Sequence, residues 1–321
     1  MELSVVIPTM NKVGLLERTL AALRRQDAEV PGGWEVVVVD DGSTDGTARF
    51  LAGQENWGIP ALQVVSPPRN VGRARARNLG ARSARGRWIL FLDDDIVAPP
   101  GLVAAHLAVL RTGERIGTIG HVHTAPEVVD GPHFHYLDTR GVAKLAAGEA
   151  PARYFVTQNA AVPRDAFLDV GGFDEEFSAY GFEDMEVAFR LEDRGGVRFR
   201  VLARPVPVHV HHHTSAEYFA KKVECGRHSL PHLARLHPHR IGEMRLHLVV
   251  DTQPPISPGA IGRLVRFLAP TPLARDLPRL LDGWPRNGAH RPLLAPLYCR
   301  LMDLAVLLAF RRGILESGRS I

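Results

Sequence analysis

Continuous apolar runs alternate, in the first half of the chain, with segments whose apolar positions recur every three to four residues. Leu3-Ser4-Val5-Val6-Ile7 is a short strand-like run that stops at Pro8. Leu15, Leu16, Leu20 and Leu23 then share one helical stripe, with Asn11 placed to cap it. Glu35-Val36-Val37-Val38-Val39-Asp40 is apolar without alternation, the pattern of a central parallel strand covered on both faces. Ala61 to Val65 predicts a third, weaker strand, Gly72 to Ala84 a helix and Trp88-Ile89-Leu90-Phe91-Leu92 a fourth strand. This alternation predicts an α/β fold with a doubly wound sheet, which takes ligands at the carboxyl ends of its strands.

The second half is less regular. Residues 121–160 carry Pro, Gly and His without clear periodicity. Glu183 to Arg194 reads as a helix with Asp184 on the face of Val187, Ala188 and Leu191, and Val206 to His211 alternates like a strand. Thr214-Ser215-Ala216-Glu217 is a capping box opening a helix towards Leu236. Beyond about Val249 the chain is rich in Pro and Arg, with apolar helical stretches and no internal repeat. The organisation predicted is two halves of one domain, 1–120 and 121–249, followed by a helical appendage, 250–321. Leu293 to Phe310 is strongly apolar, but Pro296, Arg300 and Asp303 argue against a spanning helix. An amphipathic helix in peripheral membrane contact and a helix packed on the catalytic domain or in a homodimer both fit; the packed helix is preferred.

Composition narrows the class. The chain has 321 residues, 45% of them hydrophobic, which suits a globular protein of about two domains. Two cysteines, Cys225 and Cys299, make no disulfide framework, and no basic leader with an apolar core precedes the first strand, so a cytoplasmic protein is expected, in membrane contact at most at the inner face. The net charge of +4 is uneven: seven arginines lie between Arg69 and Arg87, and many more beyond Arg240. Such charge attracts nucleic acid, anionic lipid or a phosphorylated small molecule. No aromatic interleaving supports nucleic acid, which is not expected as a partner.

Three loops follow predicted parallel strands and converge at one sheet edge: Pro8-Thr9-Met10-Asn11, Asp40-Asp41-Gly42-Ser43-Thr44-Asp45-Gly46 and Asp93-Asp94-Asp95. Three adjacent carboxylates repel one another unless solvated or holding a divalent cation. A carboxylate after the second strand can accept a base N–H or a ribose hydroxyl, although for the Asp40–Gly46 segment by itself a turn and helix start is the better reading. His209 and His211 fall on one side of a predicted strand, as do His133 and His135 if that segment is extended. Zinc is disfavoured because the cysteines show no ligand spacing.

The order and wording of these loops resemble the family 2 glycosyltransferases. The resemblance is carried by Val5 to Asn11, Val38 to Asp45, Asn70-Val71-Gly72 with Ala76-Arg77-Asn78, Phe91 to Asp95, Gly171-Gly172-Phe173-Asp174 and Gly181-Phe182-Glu183-Asp184, and it covers roughly Leu3 to Leu236. It implies the GT-A nucleotide-sugar-binding fold and an inverting, metal-dependent transfer from a UDP- or GDP-sugar to a carbohydrate or glycolipid acceptor, in cell-surface polysaccharide, glycolipid or glycoconjugate synthesis. It implies Pro8, Thr9 and Asn11 at the nucleotide pocket, Asp41 on the base ring N–H, Gly72 and Arg77 on the diphosphate side, and Asp93 on ribose with Asp94 beside it. Mn²⁺ or Mg²⁺ would be held by Asp95 and Asp93, completed by His211 in preference to His209. Asp184 would be the base, Glu183 would face donor sugar or acceptor, and Gln158 and Asn159 would line the pocket. The family's strand-end motif is Asp-any-Asp, and here Asp94 adds a third charge; Met10 stands where many members carry Tyr. The bland readings are a helix-start acid for Asp184, a solvated helix face for Arg77, Arg82, Arg85 and Arg87, and a solvated rim for His212 and His213. A non-catalytic nucleotide-sugar-binding protein is the alternative. A nucleotidyltransferase is disfavoured because no Gly-rich loop follows Ile7.

Overall fold

Val36 to Val39 are wholly buried because β2 (Trp34–Asp40) runs between two parallel neighbours, β1 (Leu3–Thr9) and β3 (Leu62–Val65). The computed structural model describes residues 1–26, 30, 32–53, 59, 61–129, 131–211, 214–252, 255–284 and 294–318. β1 also pairs in parallel with β4 (Trp88–Leu92), which completes the series expected from the apolar runs. The later strands are β5 (Ile96–Val97), β6 (Ile116–Gly120), β7 (His123–Thr124), β8 (Gly148–Ala150), β9 (Asn159–Pro163), β10 (Arg198–Leu202) and β11 (Val208–His209). Among the described residues one mixed sheet runs β3-β2-β1-β4-β9-β6-β10-β8, with β9 and β8 antiparallel to their neighbours. A second sheet, β5-β11-β7, pairs Ile96 with His209.

Helix α1 (Val13–Leu23) buries Leu16, Leu20 and Leu23 against β1 and β2, each contributing roughly 2 kcal/mol. Asn11 is not its cap. The N-cap is Lys12, with no side-chain bond to the helix, and Asn11 takes a left-handed φ of 54°. After α2 (Thr47–Ala52), α3 (Arg73–Ser83) lies so close to β1 that a Cβ on Gly80 would stand 2.4 Å from Val6 Cγ1. Then come α4 (Leu102–Leu110), α5 (Pro132–Asp138), α6 (Arg164–Asp169) and α7 (Glu183–Asp193). His133 and His135 lie on α5, not on an extended segment, because Pro132 at the first helical position favours the helix. Strand character in 206–211 is confined to Val208–His209.

The chain divides into two compact units, at points different from residues 120 and 249: one of 1–128, 140–175 and 184–211, the other of 129–139, 176–183 and 212–321. In the second, the capping box at Thr214 opens α8 (Ser215–Arg227) as expected, and His228 then breaks the helix before α9 (Ser229–Leu236). Helices α10 (Gly259–Leu268), α11 (Leu273–Asp282) and α12 (Leu294–Glu316) follow. α12 packs on α8 with backbones in contact: a Cβ on Gly313 would meet the Val223 carbonyl at 2.0 Å. Its core includes Tyr298, Met302 and Ala305, and Asp303, the polar interruption, accepts a bond from Tyr136 Oη at 2.8 Å. The preferred packed-helix reading describes α12 within this unit. No described helix is long and apolar enough to cross a membrane.

Candidate functional site

The first two strand-end loops are laced together. Asn11 Oδ1 accepts from the Thr44 amide at 2.7 Å, and the Asn11 amide donates to Ser43 Oγ at 2.9 Å. Asp41, buried, accepts from the Val71 and Gly72 amides at 2.7 and 3.0 Å, which ties the second loop to the start of α3. Gly72 holds φ 86°, a conformation that favours glycine, so its N–H can turn to that carboxylate. Pro8, half-buried, lies on β1 opposite Val39.

The three carboxylates after β4 have three different surroundings. Asp93 Oδ1 accepts from Arg77 Nη2 at 2.9 Å and keeps a side chain 30% exposed. Asp94 turns inward and accepts from Thr9 Oγ1 at 2.8 Å and Lys12 Nζ at 3.0 Å. Burial, reinforced by Asp95, pushes the Asp94 carboxyl up to about 6 despite Lys12 and Thr9. Asp95 Oδ2 accepts from the same Lys12 Nζ at 2.9 Å. Burial would raise the Asp95 carboxyl as well, but His209 and Lys12 outweigh it and hold it below the ordinary carboxylate range. Burial likewise works against a charged Lys12, and the two carboxylates overcome it, raising the ammonium above the usual lysine value.

Asp95 Oδ1 is buried without a hydrogen bond and faces His209 Nε2 at 3.3 Å. A hard oxygen and an imidazole nitrogen 3.3 Å apart are donor types that suit a divalent cation. His209 reaches this position because β11 sets it opposite Ile96, the next residue along, and the Val210 amide donates to the Asp95 carbonyl at 2.9 Å. His209 is the imidazole that the structure sets against Asp95, at 3.3 Å, and the ring of His211, the preferred sequence candidate, lies 6.3 Å from the His209 ring. His212 and His213 lie outside the described residues.

At the other end, Asp184 lies in the first turn of α7, its side chain 18% exposed. Its Oδ1 accepts from Thr157 Oγ1 at 3.0 Å and its Oδ2 from the Thr157 amide at 3.3 Å. Arg77 Nη1 stands 3.8 Å from Asp184 Oδ1, so one buried guanidinium spans Asp93 and Asp184. The solvated-face reading of Arg77 is thereby replaced. Arg82, Arg85 and Arg87 are exposed as that reading expects, although Arg85 also pairs with buried Glu35 at 2.7 Å. Gly181 and Phe182 precede α7 with φ of 88° and 73°, and a positive φ at an aromatic residue is a strained turn. Glu183 is buried at the helix start.

Asn159 does not line a pocket. It is buried, accepts from His106 Nε2 at 2.9 Å and donates to the His121 carbonyl at 3.1 Å. His106 also meets Thr118 Oγ1 at 2.7 Å, and burial, only partly offset by Asn159, drops its imidazole to about 4. Gln158, beside it, is half-buried. Two residues with direct contacts to the candidate acids escaped the sequence reading. Lys12 could have been found by asking what neutralises three adjacent carboxylates; Thr157 carried no signal beyond its place before Gln158-Asn159.

Known proteins bear on this geometry. The family model described as "Glycosyl transferase family 2" matches residues 4–172, and one described as "N-terminal domain of galactosyltransferase" matches residues 143–213. Validoxylamine A glucosyltransferase of Streptomyces hygroscopicus subsp. limoneus is 34% identical over 220 residues, covering 60% of this chain and 48% of that protein. Chondroitin synthase of Pasteurella multocida is 29% identical over 235 residues, 62% of this chain and 24% of that protein. The chain spans about half the length of the first of these relatives. Among solved structures, the mannosyltransferase PcManGT from Pyrobaculum calidifontis, in complex with GDP-Man and Mn2+, aligns with a TM-score of 0.62 at 22% identity, covering 99% of this chain and 88% of that one. TarS of S. aureus aligns at 0.58 and 18% identity, over 97% and 55%. These likenesses establish the fold as GT-A.

Proposed function

The chain belongs to glycosyl transferase family 2, and from that premise we propose that it moves a sugar from a nucleoside-diphosphate donor to an acceptor hydroxyl with inversion, as part of glycan or glycoconjugate synthesis. The observation that carries the reading is the linkage of the donor-side acid Asp93 to the base candidate Asp184 through Arg77, at 2.9 and 3.8 Å. PcManGT is bound to GDP-Man, and S. aureus TarS has been solved in complex with UDP and with UDP-GlcNAc, which supports a nucleotide sugar here.

In this reading Asp184 accepts the acceptor's hydroxyl proton as its oxygen attacks the anomeric carbon. The bond from that carbon to the diphosphate oxygen breaks, and the nucleoside diphosphate leaves with the electron pair. Thr157 fixes the Asp184 carboxylate through two bonds, so the proton arrives at a defined site. Asp93 and the unspent lone pairs of Asp41 face the nucleoside, with Pro8, Thr9, Asn11 and Gly72 shaping its pocket. Glu183, Gln158 and Asp94 take no part in proton transfer. Asp95 and His209 would hold a divalent cation, and their mixed oxygen and nitrogen set suits Mn²⁺ better than Mg²⁺. When bound, such an ion neutralises charge developing on the leaving diphosphate.

The test is a thermal-shift screen of nucleoside diphosphates and their sugars, with and without Mn²⁺, followed by transfer assays with the best donor. A specific ligand raises the melting temperature by mass action. If no nucleoside diphosphate shifts it with any metal, the reading fails.

A further inference from the structure

Helices α10 and α11 leave several large apolar side chains exposed. On α10, Gly262 and Val265 face inward, while Ile261, Leu264 and Phe267 are 58%, 46% and 73% exposed. On α11, Ala274 and Leu281 face inward, while Leu273 and Leu280 are 43% and 65% exposed. At about 100° per residue, Ile261, Leu264 and Phe267 recur at three-residue spacing on one side of α10, and Leu273 and Leu280, seven residues apart, fall on one side of α11. A lone exposed leucine is ordinary. Five large apolar side chains on two consecutive helices mark an interaction surface.

Charge selects what covers it. Arg263, Arg275 and Arg279 are exposed on the same two helices, and the acids there are Asp276, 3.6 Å from Arg279, and Asp282. Residues 212–321 hold sixteen Lys and Arg against eight Asp and Glu, a net of +8, whereas residues 1–211 carry a net of −4. A second copy of this chain, joined by a two-fold contact, would set these arginines against themselves. An anionic lipid surface answers both features, because apolar tips enter the headgroup–acyl boundary without directional partners while arginines meet the headgroups.

We propose that the α10–α11 face docks this protein on an anionic membrane surface, with Ile261, Phe267 and Leu280 entering the boundary and Arg263, Arg275 and Arg279 on the lipid headgroups. The inference is independent of the donor site. The test is co-sedimentation of the full chain with vesicles of equimolar phosphatidylglycerol and phosphatidylcholine, and of phosphatidylcholine alone, at low and high salt. The wild type should pellet with the anionic vesicles and be released by salt. Phe267→Gln with Leu280→Gln should lower the partition coefficient at least roughly tenfold, with the melting curve unchanged because both side chains are exposed. Arg263→Glu with Arg275→Glu should lower it by a similar factor and flatten its salt dependence. Failure of the wild type to pellet with anionic vesicles, or pelleting of either double variant equal to that of the wild type, overturns the proposal. So does a concentration-dependent dimer in sedimentation velocity that Phe267→Gln with Leu280→Gln abolishes, which would assign the face to a second copy.

Discussion

The acids that follow β4 and the acid that opens α7 meet opposite treatment. Asp94 and Asp95 are buried and share Lys12, and one Asp95 oxygen is left facing His209. Asp184 is partly exposed and held by Thr157, with Arg77 at a longer 3.8 Å. A cation-binding end needs concentrated negative charge, which is tolerated only with a compensating cation nearby. A proton-accepting end needs access to the acceptor and a carboxylate not wholly committed to an ion pair. If that contrast is right, the two ends respond differently to every perturbation.

The largest separation should come from Asp184→Asn, which lowers turnover by roughly 10³-fold while the nucleotide-induced rise in melting temperature persists. Loss of that rise along with transfer would mean that the ends are one unit, and unchanged turnover would favour a non-catalytic nucleotide-sugar-binding protein.

Acid should next pull the ends apart in stability. His106 supports Asn159, two residues after Thr157, and its imidazole is lowered from about 6.5 to about 4. The unfolded chain therefore binds the extra proton, and the stability from neutral His106, full above pH about 6.5, is lost as pH falls towards 4. Asp94 has the opposite sign: raised from 3.8 to about 6, it contributes stability that is full below the lower value and lost as pH rises through the upper one. Each contribution is roughly 3 kcal/mol. In urea unfolding between pH 7 and 4, His106→Gln should lose less stability on acidification than the wild type, and Asp94→Asn should lose more. Parallel curves for all three would contradict both assignments.

Metal titration by calorimetry comes third. Asp95→Asn should weaken Mn²⁺ binding by roughly 100-fold, and Asp94→Asn far less, since Asp94 is spent on Thr9 and Lys12. Equal losses would place the cation elsewhere. The smallest effect is Lys12→Met, which removes a positive charge 2.9 Å from Asp95 and should tighten Mn²⁺ about tenfold. Weaker binding in that variant would show that Lys12 organises the acids instead of competing for them.

Much of this site was legible before folding. The strand-end loops and Asp93 to Asp95 follow from apolar runs punctuated by acids, because a parallel strand must be continuously apolar and must end where side chains reach solvent, whereas Asp184, on a helix, was reached through the family resemblance. Asp94 resisted explanation because its partners, Thr9 and Lys12, lie more than eighty residues away along the chain. The choice of His209 over His211 rested on the β5–β11 register, set by tertiary pairing. Asn159 looked like a pocket residue and serves a buried network with His106. Beyond about Val249 the sequence promised only apolar helical stretches, yet α12 is buried against α8 while α10 and α11 leave Phe267 and Leu280 exposed.

By itself the sequence determined the first four strands, the family and the candidate acids, since periodicity, turn residues and motifs act over short stretches of chain. Tertiary structure alone decided which cation answers each acid, which imidazole reaches Asp95 and which apolar helix remains uncovered. Those outcomes depend on distance and burial between residues far apart in the chain, where a few ångströms and a change of dielectric decide whether a charge is paired, protonated or left facing a ligand.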